Sequence, residues 1–109
     1  MKLIISAKDF KLTSGLTMLV TKKMTKIERL VPVGTLTKVE LDHDHNQRTG
    51  LVFRAELSVQ LGRRTIKAGQ KGETINAVID LSLPKLIEQI VRHKEKRLTV
   101  QRRSARQVE

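Results

Sequence analysis

Phe53-Arg54-Ala55-Glu56-Leu57-Ser58-Val59-Gln60-Leu61 alternates apolar and polar side chains without a break. In an extended strand, neighbouring side chains point to opposite faces. Phe53, Ala55, Leu57, Val59 and Leu61 therefore line one face, and Arg54, Glu56, Ser58 and Gln60 the other. One dry face and one wet face predict an antiparallel sheet covered on a single side. Gly62-Arg63 is short enough for a tight turn into a strand over residues 64–69, whose Ile66 and Ala68 join the dry face, so the two strands form a hairpin. Upstream, Val39 and Leu41 alternate with Lys38, Glu40 and Asp42, which predicts a strand over 35–43. Leu3, Ile4 and Ile5 mark a first strand over 2–7.

Helical periods flank these strands. Leu16, Leu19, Val20, Met24, Ile27, Leu30 and Val31 fall within about 140° of one helical face. Thr13 is placed to cap that helix, and Pro32 and Gly34 stop it. After Gly72, Thr74 is placed to cap a second helix running to about Lys96, with Ile75, Val78, Ile79, Leu83, Leu86 and Ile90 on one face. Pro84 lies opposite that face, and the apolar stripe passes it without a change of phase. One helix, bent at Pro84, is the reading. The order β-α-β-β-β-α defines an α+β domain over residues 1–96, a four-stranded sheet with two helices packed on one face. In residues 97–109 the apolar period fails, and a flexible basic tail is expected.

Composition narrows the function. The 109 residues suit one domain. Two Phe and no Tyr or Trp argue against a sheet that stacks single-stranded bases on aromatic rings. No cysteine excludes a disulfide framework, a thiolate nucleophile and a Cys-based zinc site. No apolar run approaches the ~20 residues of a membrane span, and the opening Met-Lys-Leu-Ile-Ile-Ser-Ala-Lys is too short in apolar residues for a secretory signal. A soluble cytoplasmic chain, monomeric when free, is expected.

Charge is the strongest signal: 22 Lys and Arg against 11 Asp and Glu, a formal +11. Residues 92–109 alone carry seven basic and two acidic side chains. In the first helix Lys22, Lys26 and Arg29 lie beside the apolar stripe with Lys23 on its shoulder; in the second, Lys85, Arg92 and Lys96 recur at i, i+7 and i+11. Two helices on one sheet face are expected to merge these flanks into a single basic ridge, the footprint of a nucleic-acid partner.

Other clusters read as scaffold. His43-Asp44-His45, after Asp42, has too few convergent ligands for a metal and the composition of a hairpin loop. Glu40, Asp42, Glu56, Asp80 and Glu88 read as ion-pair partners, with Lys38, Arg54 and Arg64 as the neighbouring bases. Gly69-Gln70-Lys71-Gly72 lacks the Lys-Ser/Thr ending of a phosphate loop. No catalytic residues, cofactor, metal or small-molecule substrate are expected.

The spaced combination Ala77-Val78-Ile79-Asp80, Lys85-Leu86, Gln89-Ile90 and Arg92-His93-Lys94-Glu95-Lys96 resembles the ribosome hibernation-promoting factor / ribosome-associated translation inhibitor family. Leu16 to Leu30, Val39-Glu40-Leu41 and Phe53-Arg54-Ala55-Glu56 resemble its first helix and its second and third strands. The resemblance implies the same β-α-β-β-β-α fold and a non-enzymatic role. Such proteins occupy the decoding region of the small ribosomal subunit, blocking translation and preserving idle ribosomes under stress. The partners implied are the small subunit, its rRNA and the whole ribosome. Carried over residue by residue, rRNA binding falls on Lys22, Lys23, Lys26 and Arg29, and on Lys85, Arg92, Lys94 and Lys96. Longer members add a C-terminal domain that pairs ribosomes; the tail here is not one, so pairing by this chain alone is not expected. The alternative that charge leaves open is a general double-stranded RNA-binding module.

Overall fold

A computed structural model describes residues 1–44, 50 and 52–108, with side chains described through residue 98. Its elements are β1 (Lys2–Lys8), α1 (Ser14–Glu28), β2 (Leu36–His43), β3 (Phe53–Leu61), β4 (Arg64–Gly72) and α2 (Ile75–Val108). They form one four-stranded sheet in the order β1-β2-β3-β4. β2, β3 and β4 are antiparallel neighbours, whereas β1 runs parallel to β2. The parallel pair follows from connectivity, because a helix-length crossover returns the chain to the end from which it started.

The period-two reading of β3 fixes the register. Ile5, Val39, Leu57 and Ala68 form one row across the sheet, and Thr37, Val59 and Ile66 part of another. Val39, Leu57 and Val59 are fully buried, beneath Val20, Met24 and Ile27 of α1 and Val78, Ile79, Leu86 and Ile90 of α2. Burying each such side chain contributes about 1.5–3 kcal/mol. The opposite rows, Ile4–Lys38–Ser58–Lys67 and Lys8–Asp42–Arg54–Lys71, make the wet face.

Local chemistry sets the ends of the elements. Thr13 Oγ1 accepts from Leu16 N at 3.2 Å, and Thr74 Oγ1 accepts from Ala77 N at 3.0 Å, so both threonines cap as their positions predicted. Gly62 turns the β3–β4 hairpin at φ +62, a left-handed conformation that glycine adopts without steric cost. Gly72 is needed for a different reason: a Cβ there would lie 2.9 Å from Val78 Cγ2, so its lack of a side chain lets α2 sit against the end of β4. Phe10 and Phe53 meet edge-on at 5.9 Å between ring centroids, and His43, the cross-strand partner of Phe53, packs edge-on at 4.9 Å.

Two features depart from the sequence pattern. α2 continues through Pro84 as one element, as the unbroken stripe predicted, but it extends to Val108 and does not end near Lys96. Residues 97–108 contain neither Gly nor Pro and include four Arg, two Gln, one Leu and one Ala, good helix formers. Apolar periodicity reports burial, so its failure there marked the edge of the core and not the end of the helix. The acidic side chains also choose other partners than Lys38, Arg54 and Arg64. Among the described residues, Glu56 pairs with Lys67 at 3.4 Å, Glu88 with Arg92 at 2.6 Å, and Asp80 with Lys23.

Candidate nucleic-acid interface

The two helices share one face of the sheet, and acids of α2 stand among their cations. α1 lies along one flank of α2. Lys23 donates to Asp80 across that contact, with its side chain only 19% exposed, so it joins the helices and is not a freely presented charge. Lys26 lines a groove with Leu83, Pro84, Ile87 and two acids of α2, Asp80 and Glu88. Lys22, Lys26 and Arg29 are exposed, and they occupy about 10 Å of α1 at 1.5 Å per residue.

The basic row of α2 occupies its other flank, beside β4. Gln89 Nε2 donates to Lys67 O at 2.9 Å and ties that flank to the sheet edge. One turn on, Arg92, His93 and Lys96 from α2 face Arg64, Thr65 and Ile66 from β4 across a cleft of about 300 Å³. Lys85, Arg92 and Lys96 are exposed along this side, and Lys94 is exposed nearby on the same helix. The helical wheel of each helix was right; their mutual placement was not readable from either.

Arg64, read from the sequence as an ion-pair partner, makes no ion pair among the described residues and stands with the α2 cations. The signal that could have found it is the hairpin: once Gly62 turns β3 into β4, Arg64 begins the edge strand next to α2. Among the described residues, no three His, Cys, Asp or Glu side chains are grouped to hold a metal ion. His43 packs against Phe53, while His45 lies outside the described residues. No helix among the described residues is long and apolar enough to cross a membrane.

A helix-covered α+β sheet bearing two cationic rows is the class of protein that this geometry defines. Residues 3–98 match the family described as sigma 54 modulation protein / S30EA ribosomal protein, and the chain belongs to it. This is the hibernation-promoting factor family that its residues resemble. Among solved structures, the N-terminal domain of Thermus thermophilus Protein Y is similar with a TM-score of 0.67 and 24% identity, covering 84% of this chain and 94% of that one. A ribosomal subunit interface protein from Coxiella burnetii is similar with a TM-score of 0.69 and 18% identity, covering 87% and 99%. At these identities the two structures support the fold. No curated protein sequence matches.

Proposed function

We propose that this protein is a ribosome-binding factor of stress or stationary phase that sits in the decoding channel of the small subunit and blocks translation by occlusion. The observation that carries the reading is the family match, which spans almost the whole folded domain, residues 3–98. The similar Coxiella protein, named a ribosomal subunit interface protein, supports the location. The two cationic rows supply the means: phosphate contacts dominate affinity for RNA, and a surface without aromatic platforms recognises its shape more than its bases.

No chemistry is required of the protein. It acts in the cytoplasm, where ribosomes are, without cofactor or turnover. Lys22, Lys26 and Arg29 contact rRNA from α1, and Lys85, Arg92, Lys94 and Lys96 from α2; Lys23 contributes through its bridge to Asp80. The sheet's wet face is mixed in charge, with Glu40 opposite Glu56 and Asp42 opposite Arg54, and faces away from the RNA.

Co-sedimentation with ribosomes and separated subunits across a salt series, with duplex RNA as competitor, tests this. Saturable binding to the small subunit or whole ribosome that resists duplex competitor is expected, together with inhibition of translation in a cell-free system. Binding removed by duplex RNA at equal phosphate would make the protein a general RNA-binding module and overturn the proposal.

A further inference from the structure

The cleft between β4 and α2 differs in its balance of charge from the other surface depressions among the described residues. Arg64, Arg92 and Lys96 line it, with His93, and no acid does. The depression on the wet sheet face sets Lys38 and Lys67 against Glu40 and Glu56. The one beside it sets Arg54 and Lys71 against Glu56. The groove between the helices sets Lys26 against Asp80 and Glu88. Glu88 does reach Arg92 from outside the cleft, but both side chains are more than half exposed, and such a pair holds little energy. Counting Glu88 still leaves an excess of two positive charges around the cleft.

The walls are also fixed relative to each other. Ile66, at the floor, is 5% exposed and belongs to the core. Gln89 bridges α2 to the Lys67 carbonyl one turn before Arg92, so the width of the cleft is set by a side chain to backbone hydrogen bond. Two guanidinium groups offer planar forks suited to phosphate oxygens, and the Thr65 hydroxyl and His93 ring add donors.

We infer that this cleft seats one phosphate of an RNA backbone, gripped by Arg64 from the sheet edge and by Arg92 and Lys96 from α2. The inference rests on the proposed RNA-binding function and adds to it a positioning contact that fixes how the helix lies on the RNA. The RNA contact surface then wraps from α2 onto β4, and Arg64 is as much a part of it as the helical cations.

Arg64→Gln tests the claim, with Arg64→Lys as the conservative variant and Lys38→Gln as the control on the balanced face. Ribosome affinity is expected to fall about tenfold in Arg64→Gln, in the range of a lost charge-assisted hydrogen bond. The slope of log affinity against log salt should also fall, by less than the roughly 0.7–0.9 of a whole phosphate, since Arg92 and Lys96 still face it. Arg64→Lys should keep the slope while losing part of the affinity, and Lys38→Gln should change neither. Because Arg64 lies on the exposed hairpin, an unchanged melting temperature separates lost contact from lost fold.

A second readout is independent of the ribosome. Titrating the protein with inorganic phosphate should shift the NMR signals of the Gln89 side-chain amide and the His93 ring, and Arg64→Gln should abolish those shifts. If the wild type binds no ribosome but shows these shifts, the functional proposal fails while the phosphate site stands. An Arg64→Gln protein with wild-type slope, or phosphate shifts scattered over the surface and absent at Gln89 and His93, overturns the site.

Discussion

The two flanks of α2 carry the same kind of residue and do different things with it. Toward α1, cations meet acids: Lys23 is bridged to Asp80, and Lys26 shares its groove with Asp80 and Glu88. Toward β4, Arg92 and Lys96 share a cleft with another cation, Arg64, and the one acid at hand, Glu88, reaches Arg92 from outside it. The first arrangement holds two helices together. The second places like charges side by side, which costs free energy in the free protein and is repaid when an anion enters. Net charge alone does not separate these cases; the partner across each contact does.

The largest expected effect comes from reversing the β4-facing flank. Arg92→Glu with Lys96→Glu should weaken ribosome binding about 100-fold, since two of the three cations around the cleft's phosphate are replaced by repelling charges. Lys22→Glu with Lys26→Glu, on α1, should cost about tenfold by the same counting, because neighbouring acids already offset part of that charge. Lys67→Glu with Lys71→Glu, on the wet sheet face, should cost less than about threefold. Sedimentation at one fixed salt concentration ranks the three. Equal losses would mean that binding is diffuse and that the flanks do not differ.

Gly72→Ala tests how the β4-facing flank is built. The added methyl would meet Val78, a fully buried residue at the start of α2, so helix and strand must move apart. Overpacking of this kind costs about 1–3 kcal/mol. A melting temperature lowered by several degrees, about 4–8 °C per kcal/mol for a domain of this size, is the expected result. A stability equal to wild type would show that α2 is seated elsewhere.

Why some of this was legible in the sequence and some was not follows from what each signal measures. The alternation from Phe53 to Leu61 reports exposure directly, so the buried face of β3 followed from it. Thr13 and Thr74 acted as caps because a cap depends on the residues immediately after it. The two basic rows were visible on their helical wheels for the same local reason. Which cation an acid of the other helix would pair was not, because it depends on how α1 docks, a contact between residues more than fifty positions apart such as Lys23 and Asp80. Arg64 was read as an ion-pair partner because its strand was expected to neighbour the strands that carry Glu40, Asp42 and Glu56. The end of α2 was misplaced because the helix outlasts the core that made it periodic.

That last point has its own test. Beyond Ile90 no buried core residue is found among the described side chains, so removing residues 97–109 should leave the melting temperature within about 2 °C of the full chain, less than 1 kcal/mol of stability implies for a small domain. The deletion removes Arg97, Arg102, Arg103 and Arg106 and one acid, Glu109, a net change of three charges. Ribosome affinity should fall about tenfold at low salt and much less at high salt, the signature of diffuse electrostatic attraction. A large fall in melting temperature would instead place this part of α2 within the folded domain.

The smallest effect probes the comparison most finely. Asp80→Asn removes the acid that neutralises Lys23 while keeping nearly the same shape. The pair is only partly shielded, with Asp80 52% exposed, so its loss should cost less than about 1 kcal/mol of stability. At the same time Lys23 becomes a free cation on the α1 flank. If acids are what distinguish the two flanks, Asp80→Asn should bind ribosomes slightly more tightly than wild type, by about threefold at most, with a steeper salt slope. A weaker binder with an intact fold would reverse the assignment: the bridge would then be aligning the two helices for the RNA, and the α1 flank would depend on geometry more than on charge.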